Sequence, residues 1–348
     1  MHNKVYLVDN SQLIIGGRNI ANEYFDFNSD KNFRDLDVLA VGPAAKMFGK
    51  IFDQYWNSAA SYPVNEKGQD FAVQNHVAWL TQRQSLQLTS QDELQWKGME
   101  KAAALPWINS HLERLLWAPA RVMAGSPNLV HDEDAETLAD QLESVPQAKK
   151  ELLIESAYFI PSEPFMKHLA LLSKQGVRIK ILTNSMRSND VLAAHASYAK
   201  RRQEILEAGA ELYEWRSDSE PVKRKGVYAS RANLHTKAYI VDREYAFVGS
   251  YNMDPRSTEL NTESGIVIRS GELAQTIARF IEEGMQPTNS WKLSLHCATH
   301  ECNKKESQLH WDGVRKNNAV SFDKEPDSTF WQRVKVKILG WLPIDHML

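Results

Sequence analysis

The chain carries one uncommon constellation twice. Near its start it reads His2-Asn3-Lys4, then Asp9, then Gly16-Gly17-Arg18-Asn19. Far downstream it reads His235-Thr236-Lys237, then Asp242, then Gly249-Ser250-Tyr251-Asn252. Both copies fit H-x-K-x4-D-x6-G-[GS]-x-N. An internal repeat constrains a fold more than composition does, because one register demands the same local structure twice.

Around the second copy the residues alternate as in a strand. Leu234, Thr236, Ala238 and Ile240 point one way, and His235, Lys237, Tyr239 and Val241 the other. His235 and Lys237 therefore share a face. Asp242, Arg243 and Glu244 read as a turn, and Tyr245–Ser250 as the returning strand. His2, Lys4, Tyr6 and Val8 repeat the pattern, followed by Asp9-Asn10-Ser11 and the run 13–15. Asp242 has the wrong parity to face His235 on a straight strand. It is expected to anchor the hairpin or Lys237.

Histidine serves as nucleophile or as general acid near neutral pH. Lysine and asparagine supply donors to a phosphoryl oxygen. One copy lacks a second acid–base group. Two copies together hold a nucleophile, a leaving-group acid and four donors, with no call for a metal or cofactor. A pair of amphipathic hairpins with ordinary surface histidines is the plainer reading, and the doubling weighs against it.

The doubled H-x-K-x4-D resembles the signature of the phospholipase D superfamily. Asn252 is followed by Asp254-Pro255-Arg256-Ser257 and then Asn261-x-Glu263, as in that family's second motif. The first copy, with HNK, VDN, GGRNI, EYFDF and DLDVLAVGP, is similar to bacterial cardiolipin synthases, the C-type in particular. The likeness runs over essentially the whole chain; Gly17 stands where the superfamily usually has Ser. The resemblance implies an α/β fold, an α/β/α sandwich of two pseudo-twofold-related halves. It implies that His2 and His235 are the active-site histidines, one forming a phosphohistidine and the other handling the alcohol proton. Lys4, Lys237, Asn19 and Asn252 would hold phosphoryl oxygens, and Glu263 and Asp37 would orient the histidines. Asp9 and Asp242 complete the catalytic motifs. The implied reaction makes cardiolipin from phospholipids such as phosphatidylglycerol. Hydrolysis of phosphodiesters and an inactive membrane-associated remnant are the alternatives.

The second copy has a long prelude. A strand at 152–160, a helix at 161–175, a strand at 177–183, a helix at 190–208 and a strand at 210–215 are expected before the His235 hairpin. The first copy has no prelude, so the first half is expected to be incomplete through N-terminal truncation. That would leave an open edge and an apolar face beside His2. The expected organisation is a first-half remnant with a helical connector at 1–125, a second half at 126–286, and a hairpin and amphipathic tail at 287–348.

The chain has 348 residues, 41 Lys and Arg against 44 Asp and Glu, and a formal net charge of −3, which weighs against nucleic acid as the partner. No apolar run is long enough to span a bilayer. Cys297 and Cys302 lie near His296 and His300 in no trusted zinc spacing, and the stretch 291–311 reads better as a hairpin. Residues 69–118 are expected to be helical, with Trp79, Trp96, Trp107 and Trp117 as core. The stretch 216–231, with Lys223-Arg224-Lys225, reads as a polar loop. In the tail, Trp331, Val334, Ile338, Trp341 and Leu342 share a helical face, with Arg333, Lys335 and Lys337 between them. That suits either docking on the protein's own core or an anionic membrane surface. A peripheral place on the cytoplasmic face of the bacterial inner membrane is expected.

Overall fold

Every residue of Glu151–Ser156 is buried, which requires a strand covered on both faces. In the computed structural model this strand, β6, lies mid-sheet. The structure describes residues 1–26, 28, 30–62, 114–129, 132, 134–219, 231–296 and 307–342. It divides into two compact units, Met1–Gln54 with Pro119–Leu348, and Tyr55–Ala118. The sheets and the site lie in the first. In the second, Trp117 is 96% exposed, against its expected place in a core. Trp79, Trp96 and Trp107 lie outside the described residues.

On one side of β6 run the parallel neighbours β7 (Arg178–Asn184) and β8 (Glu211–Trp215). Beyond β8 follow β13 (Ser290–His296), β14 (Gln308–Arg315) and β15 (Asn318–Phe322), all antiparallel. On the other side of β6 come β10 (Lys237–Val241), β11 (Tyr245–Gly249), β12 (Ser264–Arg269) and β5 (Ala120–Ala124), also antiparallel. Helix α3 (Glu163–Lys174) starts where the Ser162 hydroxyl accepts the Phe165 N–H and stops before Gly176 at φ +84°. Its Met166, Leu169 and Leu172 pack with Leu152, Ile154, Tyr239 and Val241 in one core. The alternate residues of those strands face α6 (Gly271–Gly284), which Ser270 caps. The result is the expected α/β/α layering.

The helix expected over 190–208 is two helices, α4 (Leu192–Ala199) and α5 (Arg202–Glu207). The Ser188 hydroxyl bonds to the Trp215 carbonyl, and Val191 stands at the α4 N-cap. Arg202, at the break, turns inward between Glu214 and Glu325.

The first half repeats part of this design. Strands β1 (Val5–Val8), β2 (Gln12–Gly16) and β4 (Asp37–Val41) form a three-stranded sheet, and α1 (Pro43–Trp56) follows. In register, Gly16 opposes Asp37 as Gly249 opposes Gly265, and each pair is followed at the same interval by its helix. Both hairpins turn through two left-handed residues, Asp9-Asn10 and Asp242-Arg243. Between β2 and β4 lie a 3-10 turn at Asn22–Tyr24 and β3 (Lys31–Arg34), where the shorter β11–β12 connection has a helical turn at Arg256–Leu260 and no strand. Strand β3 pairs in parallel with β9 (Arg231–Leu234), directly before His235. The first half thus inserts into the second just where the repeated motif begins. The Lys223-Arg224-Lys225 stretch and both cysteines lie outside the described residues.

Candidate functional site

Each histidine is held by the half of the chain to which it does not belong. The His235 N–H donates to the Arg34 carbonyl at 2.8 Å, and its Nδ1 meets Asp35 Oδ2 at 2.7 Å. The His2 N–H donates to the Thr262 carbonyl at 2.9 Å, and its Nδ1 lies 2.9 and 2.8 Å from the two Glu263 oxygens. Both carboxylates are buried. Lys4 Nζ donates to the His2 carbonyl at 2.7 Å and Lys237 Nζ to the His235 carbonyl at 2.5 Å. Alternation explains these lysine bonds: residues i and i+2 share a face, so the ammonium reaches back over its own histidine.

The structure corrects the orienting residue of the first half. Asp37 does not touch a histidine; it pairs with Arg18. Asp35 takes the place on His235. Register gives the reason. Glu263 precedes Gly265 by two residues, and Asp35 precedes Asp37, the residue in Gly265's position, by two. The 3-10 turn and β3 hide this equivalence from simple counting. Aligning the apolar runs after each carboxylate, 266–268 with 38–40, would have found it.

The same comparison explains Gly17. Ser250, its counterpart, donates to Glu263. A Cβ built on Gly17 would stand 2.3 Å from Asp35 Oδ1. Here the shorter carboxylate lies directly against the backbone, and no side chain fits. Gly17 with Asp35 and Ser250 with Glu263 are two solutions for holding a carboxylate behind a histidine.

The motif aspartates are not at this centre. Asp242 accepts the N–H groups of Lys149, Lys150 and Glu151, fastening the hairpin to the start of β6. Asp9 sits exposed in the matching turn. Asn19 Nδ2 donates to the Tyr24 hydroxyl at 2.8 Å. Asn252 is buried with its Oδ1 unpartnered. Sequence reasoning missed Tyr24, whose hydroxyl lies 3.4 Å from His235 Nε2. It also missed Arg18, which reaches the carbonyls of Tyr24 and Asp35.

The electrostatics join the two copies. Burial, then the charge of Lys237, lowers the Lys4 ammonium to about 8, with Glu263 and Asp35 opposing. Burial likewise lowers Lys237, again opposed by Asp35 and Glu263. Burial, then Lys237, lowers His235 to about 4 against the pull of Asp35. Burial works against the charge of Asp35, but the His235 bond and Lys237 outweigh it, so it stays ionised. Glu263 is held low in the same way by His2 and Ser250. With Asp35 accepting the Nδ1 proton, neutral His235 presents a lone pair at Nε2. Lys4 and Lys237 thus feel each other and also the two carboxylates, Asp35 and Glu263, that stand behind the histidines. Among the described residues no cluster of His, Cys, Asp and Glu has a metal-holding arrangement.

Comparison with known proteins places this arrangement. The family described as "Cardiolipin synthase, PLD-like domain" matches residues 142–284. The chain is 32% identical over 370 residues to cardiolipin synthase C of Escherichia coli (strain K12), covering 100% of this chain and 73% of that protein. It is 28% identical to an uncharacterized protein of Helicobacter pylori (strain ATCC 700392 / 26695), covering 96% of this chain and 64% of the relative. Among solved structures, phosphatidylserine synthase of Haemophilus influenzae Rd KW20 superposes with a TM-score of 0.50 at 16% identity, covering 84% of this chain and 62% of that one. That likeness speaks to the fold. The chain belongs to the phospholipase D superfamily, within its cardiolipin synthase-like family.

Proposed function

We propose that this protein transfers a phosphatidyl group between phospholipids, making cardiolipin through a phosphohistidine intermediate. The reciprocal holding of His2 by Glu263 and of His235 by Asp35 supports the reading best. A phosphodiester brings anionic oxygens that the Lys4 and Lys237 ammonium groups can hold. In the first step one imidazole Nε2 attacks phosphorus, the P–O bond to the leaving alcohol breaks, and the other histidine supplies the alcohol's proton. In the second, the acceptor hydroxyl attacks phosphorus, the N–P bond breaks, and the acceptor's proton passes to the free histidine. The open Nε2 of His2, whose side chain is 30% exposed, suits attack. His235, which already faces a hydroxyl, suits proton transfer. Burial first, and then the Lys237 charge, keep His235 neutral; a phosphate anion offsets the second of these, so substrate raises its proton affinity.

Asn19 and Asn252 are the neutral donors of the same cradle, and the carboxylates Asp35 and Glu263 fix each imidazole. A phospholipid substrate such as phosphatidylglycerol calls for a peripheral protein on an inner-membrane surface. Among the described residues no helix is long and apolar enough to cross a membrane. The test is incubation with phosphatidylglycerol vesicles. Cardiolipin is expected from the wild type and none from His235→Ala. Equal cardiolipin from both overturns the reading. Phosphatidic acid as the sole product would turn it to hydrolysis.

A further inference from the structure

The two halves of the site differ at one atom that matters for chemistry. Among the described residues Nε2 of His2 has no hydrogen-bond partner, whereas Nε2 of His235 faces the Tyr24 hydroxyl at 3.4 Å. Tyr24 belongs to the 3-10 turn between β2 and β4, whereas the turn at Arg256–Leu260 in the second copy contains no tyrosine.

Tyr24 is firmly seated. Its ring stacks on Phe33 with centroids 4.7 Å apart and stands edge-on to His235 at 4.9 Å. Its hydroxyl accepts from Asn19 Nδ2 at 2.8 Å, and its carbonyl accepts from Arg18 Nε at 3.2 Å. Having accepted from Asn19, the hydroxyl has its own proton to offer the imidazole lone pair. At 3.4 Å that bond is weak. The hydroxyl covers the nitrogen without being committed to it.

We propose that Tyr24 selects the acceptor, keeping water off His235 Nε2 and yielding to an alcohol large enough to displace it. The proposal rests on the transferase reading above, with His2 carrying the phosphoryl group and His235 taking the acceptor's proton. In the second step an acceptor oxygen must lie where the Tyr24 hydroxyl now lies. There it bonds to phosphorus as the His2 N–P bond breaks and its proton moves to His235 Nε2. Water brings no binding energy to shift an anchored ring. A phospholipid acceptor gains contacts elsewhere and can spend them on that displacement. Chemistry that is identical for both acceptors thus becomes selective through a side chain already in place.

The experiment measures how the phosphatidyl group of labelled phosphatidylglycerol divides between cardiolipin and phosphatidic acid. Tyr24→Phe keeps the ring on Phe33 and opens a water-sized space at Nε2. Its hydrolysed share relative to transfer is expected to rise about tenfold over wild type, a difference of roughly 1.4 kcal/mol between the two barriers. Tyr24→Ala is expected to raise it further. A partition ratio unchanged in both variants overturns the proposal, as does acid-quench trapping of the phosphoryl group on His235.

A wild type that turns over no phospholipid would sink the transferase reading alone. The cover over Nε2 is then judged by modification of His235 with diethyl pyrocarbonate, mapped by mass spectrometry. Faster modification in Tyr24→Phe supports the cover, and equal rates in the two proteins overturn it.

Discussion

At the scale of single residues, the two aspartates flanking Leu36 separate what the fold needs from what the site needs. Asp35 holds His235, while Asp37 holds Arg18, which in turn reaches the Tyr24 and Asp35 carbonyls. Asp35→Asn keeps the shape but weakens the grip on the imidazole and its tautomer. It is expected to lower turnover about a hundredfold or more, as expected when the orienter of a general base is lost. Asp37→Asn acts only through Arg18 and is expected to cost about tenfold or less. Turnover of phosphatidylglycerol by the two variants settles the assignment, and the reverse ranking would return it to Asp37. His235 also links the site to stability. Its imidazole titrates near 4 in the fold against 6.5 when free, so the unfolded chain binds the extra proton between those values. The fold is therefore fully stable above about 6.5 with respect to this group and loses stability as pH falls towards 4. Asp35, held low, adds its loss below that window. Melting temperature against pH should fall across that interval, and His235→Gln should flatten that segment. An unchanged slope would show that His235 does not carry it.

At the scale of elements, the legible parts were those with local causes. Both hairpins followed from period-two alternation and turn residues, and strands β6, β7 and β8 followed from apolar runs, with Gly176 and Gly209 closing the helical stretches between them. The β13–β14 hairpin was legible for the same reason. What could not be read was set by partners far along the chain. The β3–β9 pairing joins residues about two hundred apart, and it fixes Asp35 on His235. The break between α4 and α5 places buried Arg202 on Glu214 and Glu325, which periodicity does not reveal. The C-terminal helix α7 (Phe330–Trp341) docks through Val336, which lies outside the apolar face read from the sequence. Thr329 caps it, and Val336 packs with Met186 and Ala196. Trp331 and Trp341 remain 70% and 75% exposed beside exposed Lys335 and Lys337. Docking is therefore compatible with a lipid-facing outer side. Lys335→Glu with Lys337→Glu is expected to weaken binding to phosphatidylglycerol vesicles at low salt, by at least the ~1 kcal/mol per basic residue near an anionic leaflet. Trp331→Ala with Trp341→Ala is expected to weaken it at any salt. Neither pair touches Val336, so the fold should hold. Unchanged sedimentation with vesicles in both would leave α7 as packing alone.

At the scale of the whole molecule, the repeat is complete in chemistry and unequal in cover. Strand β10 pairs with β6 along its outer edge, and Tyr239 and Phe247 on its face join the core that α3 closes. Strand β1 has no partner on the corresponding edge among the described residues. Across the matching face, Tyr6, Ile14 and Leu39 lie opposite one another in register and stay 63%, 42% and 45% exposed, with Val41 beside them. Residues that form core in one half are surface in the other. A contiguous apolar sheet face next to a free strand edge favours association with any similar surface. The purified chain is therefore expected to self-associate in sedimentation velocity at micromolar concentration. Ile14→Lys with Leu39→Lys adds two like charges on that face and is expected to weaken association at least tenfold, about 1.4 kcal/mol. The His2 imidazole is held by Glu263 and the Lys4 ammonium by the His2 carbonyl, with neither Ile14 nor Leu39 as a partner, so the His2–Glu263 pair should survive and circular dichroism should be unchanged. A monomeric wild type would mean that this face is covered in solution by part of the chain outside the described residues.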